Sequence, residues 1–438
     1  MNVATAPELL NWLLGLPGKE RSLINRIQLP TESNHQPNPT PMRSLKSLSA
    51  AGKRVLMRVD FNVPLHKETR AVTDDTRIRA AMPSINYLLN QPGTSLVLMS
   101  HLGRPKGGAE DKYSLRHILP VLSELLGREV LFAPDCVGEA SFELSHQLKA
   151  GGVLLLENVR FHPEEEQGDP DFAERLSRHG SVYVNDAFGA AHREHASTAT
   201  VARFFGEDKA AGFLMEAEVK NADKVMEQAE RPFTAIMGGS KVSDKILIIE
   251  NLMDRVDNLV IVGAMAYTFM RAMGGQTGAS LCEEDKLDLA RALMRKAEQR
   301  GVRWVLPVDS VAADRFAADA QTAVLNSNEI PDGWMGLDIG PKAADEIGSI
   351  IMNSRTLLWN GPAGVFEMEA YANGSRALAQ AVAAATAQGA FSLIGGGDSA
   401  AAVNAFGLTA RMSYVSTGGG ALLEYMEGKT LPGVAALT

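Results

Sequence analysis

The stretch SLIGGGDSAAAV, residues 392–403, joins a short apolar run to three glycines and a segment of small residues. The apolar run predicts a buried strand, and the small residues predict a helix. Asp398 and Ser399 directly follow the glycines, where a backbone without side chains lets a ligand come close. A strand that turns through glycine into a helix is the unit from which α/β proteins are built.

The same alternation of apolar runs and helical patterns continues along the chain from residue 53. Runs such as RVLMRVDFNV, SLVLMSH and NLVIVGAM are separated by amphipathic segments, which is typical of parallel sheets covered by helices on both faces. The chain has 438 residues, which is long for a single core. The pattern therefore predicts an α/β fold with two doubly wound parallel-sheet domains of Rossmann-like type.

The composition excludes several classes of protein. The net charge is −9, whereas a protein that coats nucleic acid is usually basic. The two cysteines, Cys136 and Cys282, are too few for a disulfide scaffold and suit a reducing compartment. No apolar run approaches the roughly 20 residues of a membrane helix. We therefore expect a cytoplasmic protein that binds neither nucleic acid nor membrane.

Changes in composition suggest where the domains begin and end. Residues 1–41 are rich in Pro, Asn, Ser and Thr towards their end. We expect either a disordered N-terminal extension or a mis-called one, which results from a start codon assigned too early. A long polar-faced helix, predicted over 213–230, precedes Arg231-Pro232 and is the candidate connector between the halves. The predicted division is an N-terminal domain at 42–212, an interdomain helix at 213–232, a C-terminal domain at 233–415, and at 416–438 a hinge with a segment that returns to the N-terminal domain.

The residues that follow the predicted strands differ between the two halves. In the second half they are rich in glycine, which predicts a phosphate cradle for a nucleotide. Lys241 and Lys245 are four residues apart, so a helix that starts near Ser240 would direct both at one region. In the first half these positions carry basic side chains, which suit a small polyanion. They are Arg77, Arg104, Arg160, Arg193, His101, His162, His192 and His195.

Two known nucleotide motifs match the chain only in part. The Walker A pattern fails at GKT, residues 428–430, because Leu423 stands where a glycine is required. GGGDSA, residues 395–400, fits the dinucleotide fingerprint, but the next strand ends in Ser416 and Thr417 without the acid that would bind ribose. A two-domain NAD-dependent dehydrogenase is therefore kept as the alternative function.

Taken together, these stretches make the chain similar to the phosphoglycerate kinases over residues 42–438. The motifs that carry the resemblance stand in the family's order: RVDFNVPL, SHLGRPKG, LLLENVRF, VNDAFGAAHREHAST, MGGSKVSDKI, WMGLDIGP, LWNGPAGVFE, GGGDSAAAV and STGGGA. The resemblance implies two domains that face each other across a cleft and close about the connector and the glycines at 416–420. It also implies a monomeric enzyme of glycolysis and gluconeogenesis that, with Mg²⁺, reversibly transfers a phosphoryl group from ATP to 3-phosphoglycerate, giving ADP and 1,3-bisphosphoglycerate by in-line transfer.

The resemblance further implies roles for individual residues. The implied contacts to 3-phosphoglycerate are Asp60, Asn62, Arg77, His101, Arg104, Arg160 and Arg193. The implied contacts to the nucleotide are Lys241, Lys245, Gly336, Glu367, Gly396, Gly397, Asp398 and Ser399. Arg77, Lys241 and Lys245 are the implied catalytic residues, and Asp398 is the implied ligand that orients Mg²⁺.

Overall fold

The computed structural model describes residues 42–106 and 108–438, so the predicted extension at 1–41 lies outside the described residues. The strands are β1 (Arg54–Arg58), β2 (Ser95–Met99), β3 (Leu131–Phe132), β4 (Val153–Leu155), β5 (Val182–Asn185), β6 (Lys209–Ala211), β7 (Phe233–Met237), β8 (Asn258–Ile261), β9 (Gln276–Thr277), β10 (Arg303–Val305), β11 (Asp309–Ala313), β12 (Thr322–Asn326), β13 (Glu329–Ile330), β14 (Met335–Ile339), β15 (Thr356–Asn360), β16 (Phe391–Gly395) and β17 (Tyr414–Val415). The α-helices are α1 (Thr76–Leu89), α2 (Leu119–Leu126), α3 (Glu139–His146), α4 (Glu164–Gln167), α5 (Pro170–Ser177), α6 (Phe213–Met226), α7 (Ile246–Leu252), α8 (Met265–Ala272), α9 (Leu287–Gln299), α10 (Pro341–Met352), α11 (Asn373–Ala387), α12 (Gly397–Ala405), α13 (Gly420–Met426) and α14 (Pro432–Ala435).

Two six-stranded parallel sheets organise the described chain. The first sheet has the strand order β3-β4-β2-β1-β5-β6, and the second has the order β10-β8-β7-β15-β16-β17. Every neighbouring pair in both sheets is parallel. In each sheet the chain leaves a central strand in one direction and later continues in the other, which is the doubly wound topology. The predicted α/β fold class is therefore confirmed.

The apolar runs form these strands because both sheet faces are covered. All five residues of β2 are buried. Leu96 and Leu98 pack in one hydrophobic cluster with residues of α1, whereas Val97 and Met99 pack in another with residues of α5. Alternate side chains thus face opposite layers of helix, and an uninterrupted apolar run is the result. None of the helices in the described part of the chain has both the length and the hydropathy that a membrane crossing requires.

A smaller antiparallel sheet, with the order β12-β11-β14, was not predicted from the sequence. The sequence pattern of this region showed only the run RWVLPVD, of which β10 covers Arg303–Val305. Along β12 exposed residues alternate with half-buried ones, because this edge strand has only one covered face. A short half-exposed strand leaves a weak apolar signal, so it escapes a search for continuous apolar runs.

Helix α6 lies between the two sheets in the chain and contacts both halves. It ends at Met226, four residues before the predicted end at residue 230. It packs against α1 and against β15 and β16. Its buried Glu218 accepts hydrogen bonds from Ser416 Oγ (2.6 Å) and from the backbone N–H of Thr417 (2.8 Å). Further along, the N–H of Gly433 donates to the carbonyl oxygen of Ala191 (2.8 Å), so residues after the second sheet contact the first half.

Candidate active site

The carboxyl end of β1 positions the first pair of predicted site residues. Asp60 follows β1 by two residues and is buried, whereas Arg77 is the second residue of α1 and is half-buried. The Nη1 atom of Arg77 donates to Oδ2 of Asp60 at 2.9 Å. This ion pair places the guanidinium beside the central strand of the first sheet, since Asp60 is buried directly after that strand and also accepts from the N–H of Asn62 (3.2 Å).

His101 lies next to this pair, at the end of β2. Its Nδ1 atom is 3.0 Å from Nη2 of Arg58 and 4.0 Å from Oδ1 of Asp60. A guanidinium only donates, so Nδ1 accepts and the ring proton is on Nε2. Burial, followed by the positive charges of Arg58 and other arginines, lowers the pKa of His101 well below its usual range. His101 is therefore a neutral hydrogen-bond donor. The positive charge at the carboxyl ends of the strands of the first sheet, which we call the first edge, comes from the arginines.

A chain of hydrogen bonds joins three further parts of the first edge. The amide Oδ1 of Asn62 accepts from the N–H of Gly103 (2.8 Å), and the carbonyl oxygen of Gly103 accepts from Nη1 of Arg160 (2.8 Å). The side chain of Arg160 is 7% exposed, and burial lowers its pKa to about 10. Since each bond crosses from one strand-end loop to the next, the loops after β1, β2 and β4 hold one another in place.

The two remaining predicted arginines lie on loops of the first edge. Arg104 is exposed on the loop that follows β2, and Arg193 is half-buried on the loop that follows β5. The Nε atom of Arg193 lies 3.1 Å from Nε2 of His192. The structure thus brings Asp60, Arg77 and His101 together, and the substrate-binding roles of these residues, like those of Arg104 and Arg193, stay predictions.

Sequence reasoning missed a buried support beneath this edge. Arg58 is 1% exposed, and its Nε donates to Oγ of Ser197 (2.8 Å). Ser197 in turn donates from Oγ and from its backbone N–H to the carboxylate of the fully buried Glu165 (2.6 and 2.8 Å). The only sequence signal was a charged residue at the end of the apolar run RVLMR, and its hydrogen-bond partner Ser197 is remote in the chain.

The second sheet presents its lysines on the loop after β7. The condition under which Lys241 and Lys245 would share a helical face, a helix start near Ser240, is not met, because α7 begins at Ile246 and Lys245 is its N-cap residue. The carboxylate of Glu283 accepts hydrogen bonds from the backbone N–H groups of Val242 and Ser243 in this loop. Lys241 is exposed, and Lys245 is half-buried.

Asn360, the last residue of β15, joins the lysine loop to the glycine loop. Lys245 Nζ donates to Asn360 Oδ1. Burial lowers the pKa of Lys245, and the charges of Asp244 and Asp398 oppose this shift. Among the described residues, the buried Nδ2 of Asn360 has no hydrogen-bond partner. The sequence search passed over Asn360, although it directly follows an apolar run and precedes glycine.

The glycine loop at 395–397 supplies backbone close to Asn360. Gly396 has φ +87°, a conformation that side chains rarely adopt, and a Cβ atom there would lie 2.9 Å from Asn360 Nδ2. Helix α12 begins at Gly397, and Asp398 is exposed in its first turn. Ser399 is fully buried, and its Oγ accepts from the N–H of Gly361 (2.5 Å), so its side chain supports the neighbouring loop.

Gly336 and Glu367 lie on adjoining segments. The N–H of Val365, on the loop that carries the exposed Glu367, donates to the carbonyl oxygen of Leu337, next to Gly336 in β14 (2.9 Å). Gly336 is buried, and a Cβ atom on it would meet Oη of Tyr267 at 1.8 Å. The Tyr267 ring therefore covers this side of Gly336, and burial raises the pKa of its hydroxyl to about 12.

The carboxyl ends of the strands of the second sheet, which we call the second edge, offer oxygen ligands that fit a hard divalent cation. Asp398 offers an exposed carboxylate beside backbone N–H groups suited to phosphate. Mg²⁺ is usually held by one or two carboxylates together with substrate phosphate oxygens, rather than by a protein cage. Asp398 with a bound polyphosphate would match this description.

Comparisons with known proteins agree with one another. A family model described as Phosphoglycerate kinase matches residues 45–429. The chain is 52% identical over 419 residues to a phosphoglycerate kinase of Porphyromonas gingivalis, covering 90% of this chain and 99% of that protein. It is 53% identical over 394 residues to a cytosolic phosphoglycerate kinase of Nicotiana tabacum, covering 90% and 97%.

Solved structures give the same result. The phosphoglycerate kinase of Coxiella burnetii superimposes with a TM-score of 0.81 at 39% identity, covering 91% of this chain and 99% of that chain. The enzyme of Pyrococcus horikoshii superimposes with a TM-score of 0.78 at 30% identity, covering 90% and 98%. The similarity therefore extends over both six-stranded sheets rather than over one of them.

Proposed function

Since the chain belongs to the phosphoglycerate kinase family and transfers phosphate to the carboxyl group of 3-phosphoglycerate, we propose that its two sheet edges divide the substrates between them. The edge of the first sheet binds 3-phosphoglycerate and 1,3-bisphosphoglycerate. The edge of the second sheet binds ATP and ADP. This reaction is a step of glycolysis, and family membership favours it over the dehydrogenase alternative.

This division is supported by where the predicted site residues lie in the two sheets. Several of them follow the strands at which the winding of each sheet reverses direction, the topological switch points. In open parallel sheets, ligands bind where the winding reverses, outside the carboxyl ends of the strands. The winding reverses at β1 and β5 in the first sheet, and at β7 and β15 in the second. Asp60 follows β1, the lysine loop follows β7, and Asn360 ends β15. The basic edge and the glycine-rich edge are thus separate sites with different chemistry.

On the first edge, the arginines bind the carboxylate and phosphate of 3-phosphoglycerate. Guanidinium groups donate in pairs to such anions, and Arg77 and Arg160 are already oriented by bonds to Asp60 and Gly103. His101 donates from Nε2 and adds no charge. The attacking group is a carboxylate that is ionised at neutral pH, so the reaction needs no general base.

On the second edge, the lysines and the glycine-loop amides bind the nucleotide phosphates. Lys245 lies beside Asn360, and the first turn of α12 offers backbone N–H groups to a phosphate. Gly336 and Glu367 bind the nucleoside side. Asp398 would hold Mg²⁺, which supplies charge neutralisation to the phosphates when it is bound. Catalysis then consists of alignment and stabilisation of the negative charge on the transferring group.

The separation of the substrates requires a closing movement. We propose domains at 42–212 and 233–415 that close in a hinge-bending motion about α6 and the glycines at 416–420. Glu218 supports this proposal, because it ties the connecting helix to Ser416 and Thr417 at the start of the hinge. Closure would exclude water, which hydrolyses an acyl phosphate. We further propose a monomer that works in the cytoplasm, as the cytosolic tobacco relative does.

Changing Gly419 to alanine is expected to lower kcat about tenfold while the KM values change little. Gly419 has φ +53°, and no atom would lie within 4 Å of an added Cβ, so the substitution acts on the backbone alone. Gly419 has ψ −118°, and alanine in this sparsely populated backbone region costs about 1–3 kcal/mol, which restricts the hinge. Steady-state kinetics with ATP and 3-phosphoglycerate would measure the effect.

Gly407→Ala is the matched control for this prediction. Gly407 has φ +67° and equally open surroundings, but it lies after α12 and outside the hinge. Gly407→Ala should leave kcat unchanged, and its free energy of unfolding is measured beside that of Gly419→Ala. If kcat also stays unchanged in Gly419→Ala, the glycines at 416–420 are not the hinge.

The overall function is tested by a coupled assay that follows ADP formation from ATP and 3-phosphoglycerate. A parallel titration with NADH and with ADP tests the dehydrogenase alternative. We expect ADP formation that depends on both substrates, and binding of ADP but not of NADH. Binding of NADH without any phosphoryl transfer would overturn the assignment.

A further inference from the structure

Glu283 makes an unusual set of contacts with the lysine turn, which we define as residues 241–245. One carboxylate oxygen accepts from the backbone N–H groups of Val242 (2.6 Å) and Ser243 (3.1 Å). The other accepts from Oγ of Ser243 (2.6 Å). Glu283 is 40 residues or more away from the turn in the chain, so these are long-range contacts.

The segment that carries Glu283 also contacts the nucleoside side of the second edge. Two hydrogen bonds join this segment to β14 and the residue before it. Ser280 Oγ accepts from the N–H of Gly336 (2.9 Å), and the N–H of Ala279 donates to the carbonyl oxygen of Trp334 (2.7 Å). The N–H of Glu283 itself donates to Oγ1 of Thr268 in α8 (3.1 Å). Residues 279–283 therefore bridge the strand of Gly336 and the lysine turn.

These contacts explain the conformation of the turn. Without Glu283 the N–H groups of Val242 and Ser243 would need other acceptors, and continuation of α7 backwards from Ile246 would supply no carbonyl to them. Helix α7 begins at Ile246, so the lysine turn precedes the helix. The Glu283 carboxylate thus holds the backbone of the lysine turn, and Lys245 of this turn contacts Asn360.

We propose that Glu283 is a positioning residue that holds the lysine turn in place relative to the strand of Gly336, so that both parts of one nucleotide are bound together. This inference rests on the proposed nucleotide site and adds the residue that aligns its two ends. Glu283 contacts the backbone of the turn rather than the reacting groups. Its effect on catalysis therefore passes through Lys241 and Lys245.

The kinetic test compares two substitutions at this position. Glu283→Ala should lower kcat/KM for ATP about 10- to 100-fold, since small misplacements of catalytic groups have effects of this size, while KM for 3-phosphoglycerate stays unchanged. Glu283→Gln keeps an amide oxygen for both N–H groups and a donor for Ser243 Oγ, so it should restore kcat/KM to within about threefold of wild type. Failure of glutamine to restore activity would overturn the proposal.

Limited proteolysis with trypsin tests the same proposal without using the reaction. Lys241 and Lys245 are cleavage sites, so Glu283→Ala should accelerate cleavage after both, as mapped by mass spectrometry. Glu284→Ala is the matched control, because Glu284 is the exposed neighbour that pairs with Arg271 (2.7 Å), and it should leave cleavage and kinetics unchanged. A Glu283→Ala variant with wild-type cleavage and kinetics but a lower melting temperature would show that Glu283 is merely structural. If wild-type protein lacks kinase activity, the function fails while the cleavage result still judges Glu283.

Discussion

Replacing Arg77 with alanine is expected to lower kcat by about 10³-fold, the size of effect seen when a charged or hydrogen-bonding group that stabilises a transition state is removed. The guanidinium lies at the end of the central strand of the first sheet and is held by Asp60 at 2.9 Å. It is thus fixed before the substrate binds, and no reorganisation is needed when negative charge develops on the transferring group. The measurement is steady-state kinetics with both substrates varied.

Arg79→Ala is the control for this prediction. Arg79 lies two residues further along the same helix, is exposed, and pairs with Asp75 (2.8 Å). It should alter kcat less than twofold. Arg77→Lys keeps the charge but loses the planar fork, so it should recover only part of the loss. A nearly normal kcat for Arg77→Ala would show that this residue does not face the transferring group.

Replacing Asp398 with alanine is expected to lower kcat about 10²- to 10³-fold and to raise the Mg²⁺ concentration needed for half-maximal rate. Asp398 is the exposed carboxylate in the first turn of α12, where phosphate would also be bound. A single carboxylate is often the main protein ligand of a nucleotide-bound Mg²⁺. Titration of Mg²⁺ at fixed ATP, with rates measured at each concentration, gives both quantities.

Asp345→Ala provides the comparison for the metal prediction. Asp345 is exposed on α10, which lies after β14 rather than at the glycine loop. Its replacement changes the net charge equally and should leave the Mg²⁺ requirement unaltered. An unchanged requirement in Asp398→Ala would assign the metal to other groups.

The fold could be read from the sequence because burial on both faces of a sheet leaves a local pattern. Strands such as β2 and β15 are continuous apolar runs, and their order with helices gives the doubly wound class directly. The antiparallel sheet of β11, β12 and β14 could not be read in the same way. Its edge strand is half-exposed, and β14 pairs with β11 across the whole segment that contains β12 and β13.

The site could be predicted as a set of positions but not as an arrangement. Strand ends located Asp60 and Lys245, because that inference needs only the sheet topology. The support of the site was invisible: Arg58 depends on Ser197, and the lysine turn depends on Glu283. Such contacts join residues that are 40 or more positions apart. The local periodicity of apolar residues, which reveals helices and strands, carries no information about them.

The return of the last segment to the first half has a consequence for biosynthesis. The backbone N–H of Gly433 donates a hydrogen bond to the carbonyl oxygen of Ala191, and the N–H of Arg43 donates to the carbonyl oxygen of Leu437 (3.2 Å). A ribosome makes these late residues only after the entire second sheet. The nascent N-terminal half consequently leaves the exit tunnel without its final packing partners and must wait, partly exposed, for translation of the segment that covers it.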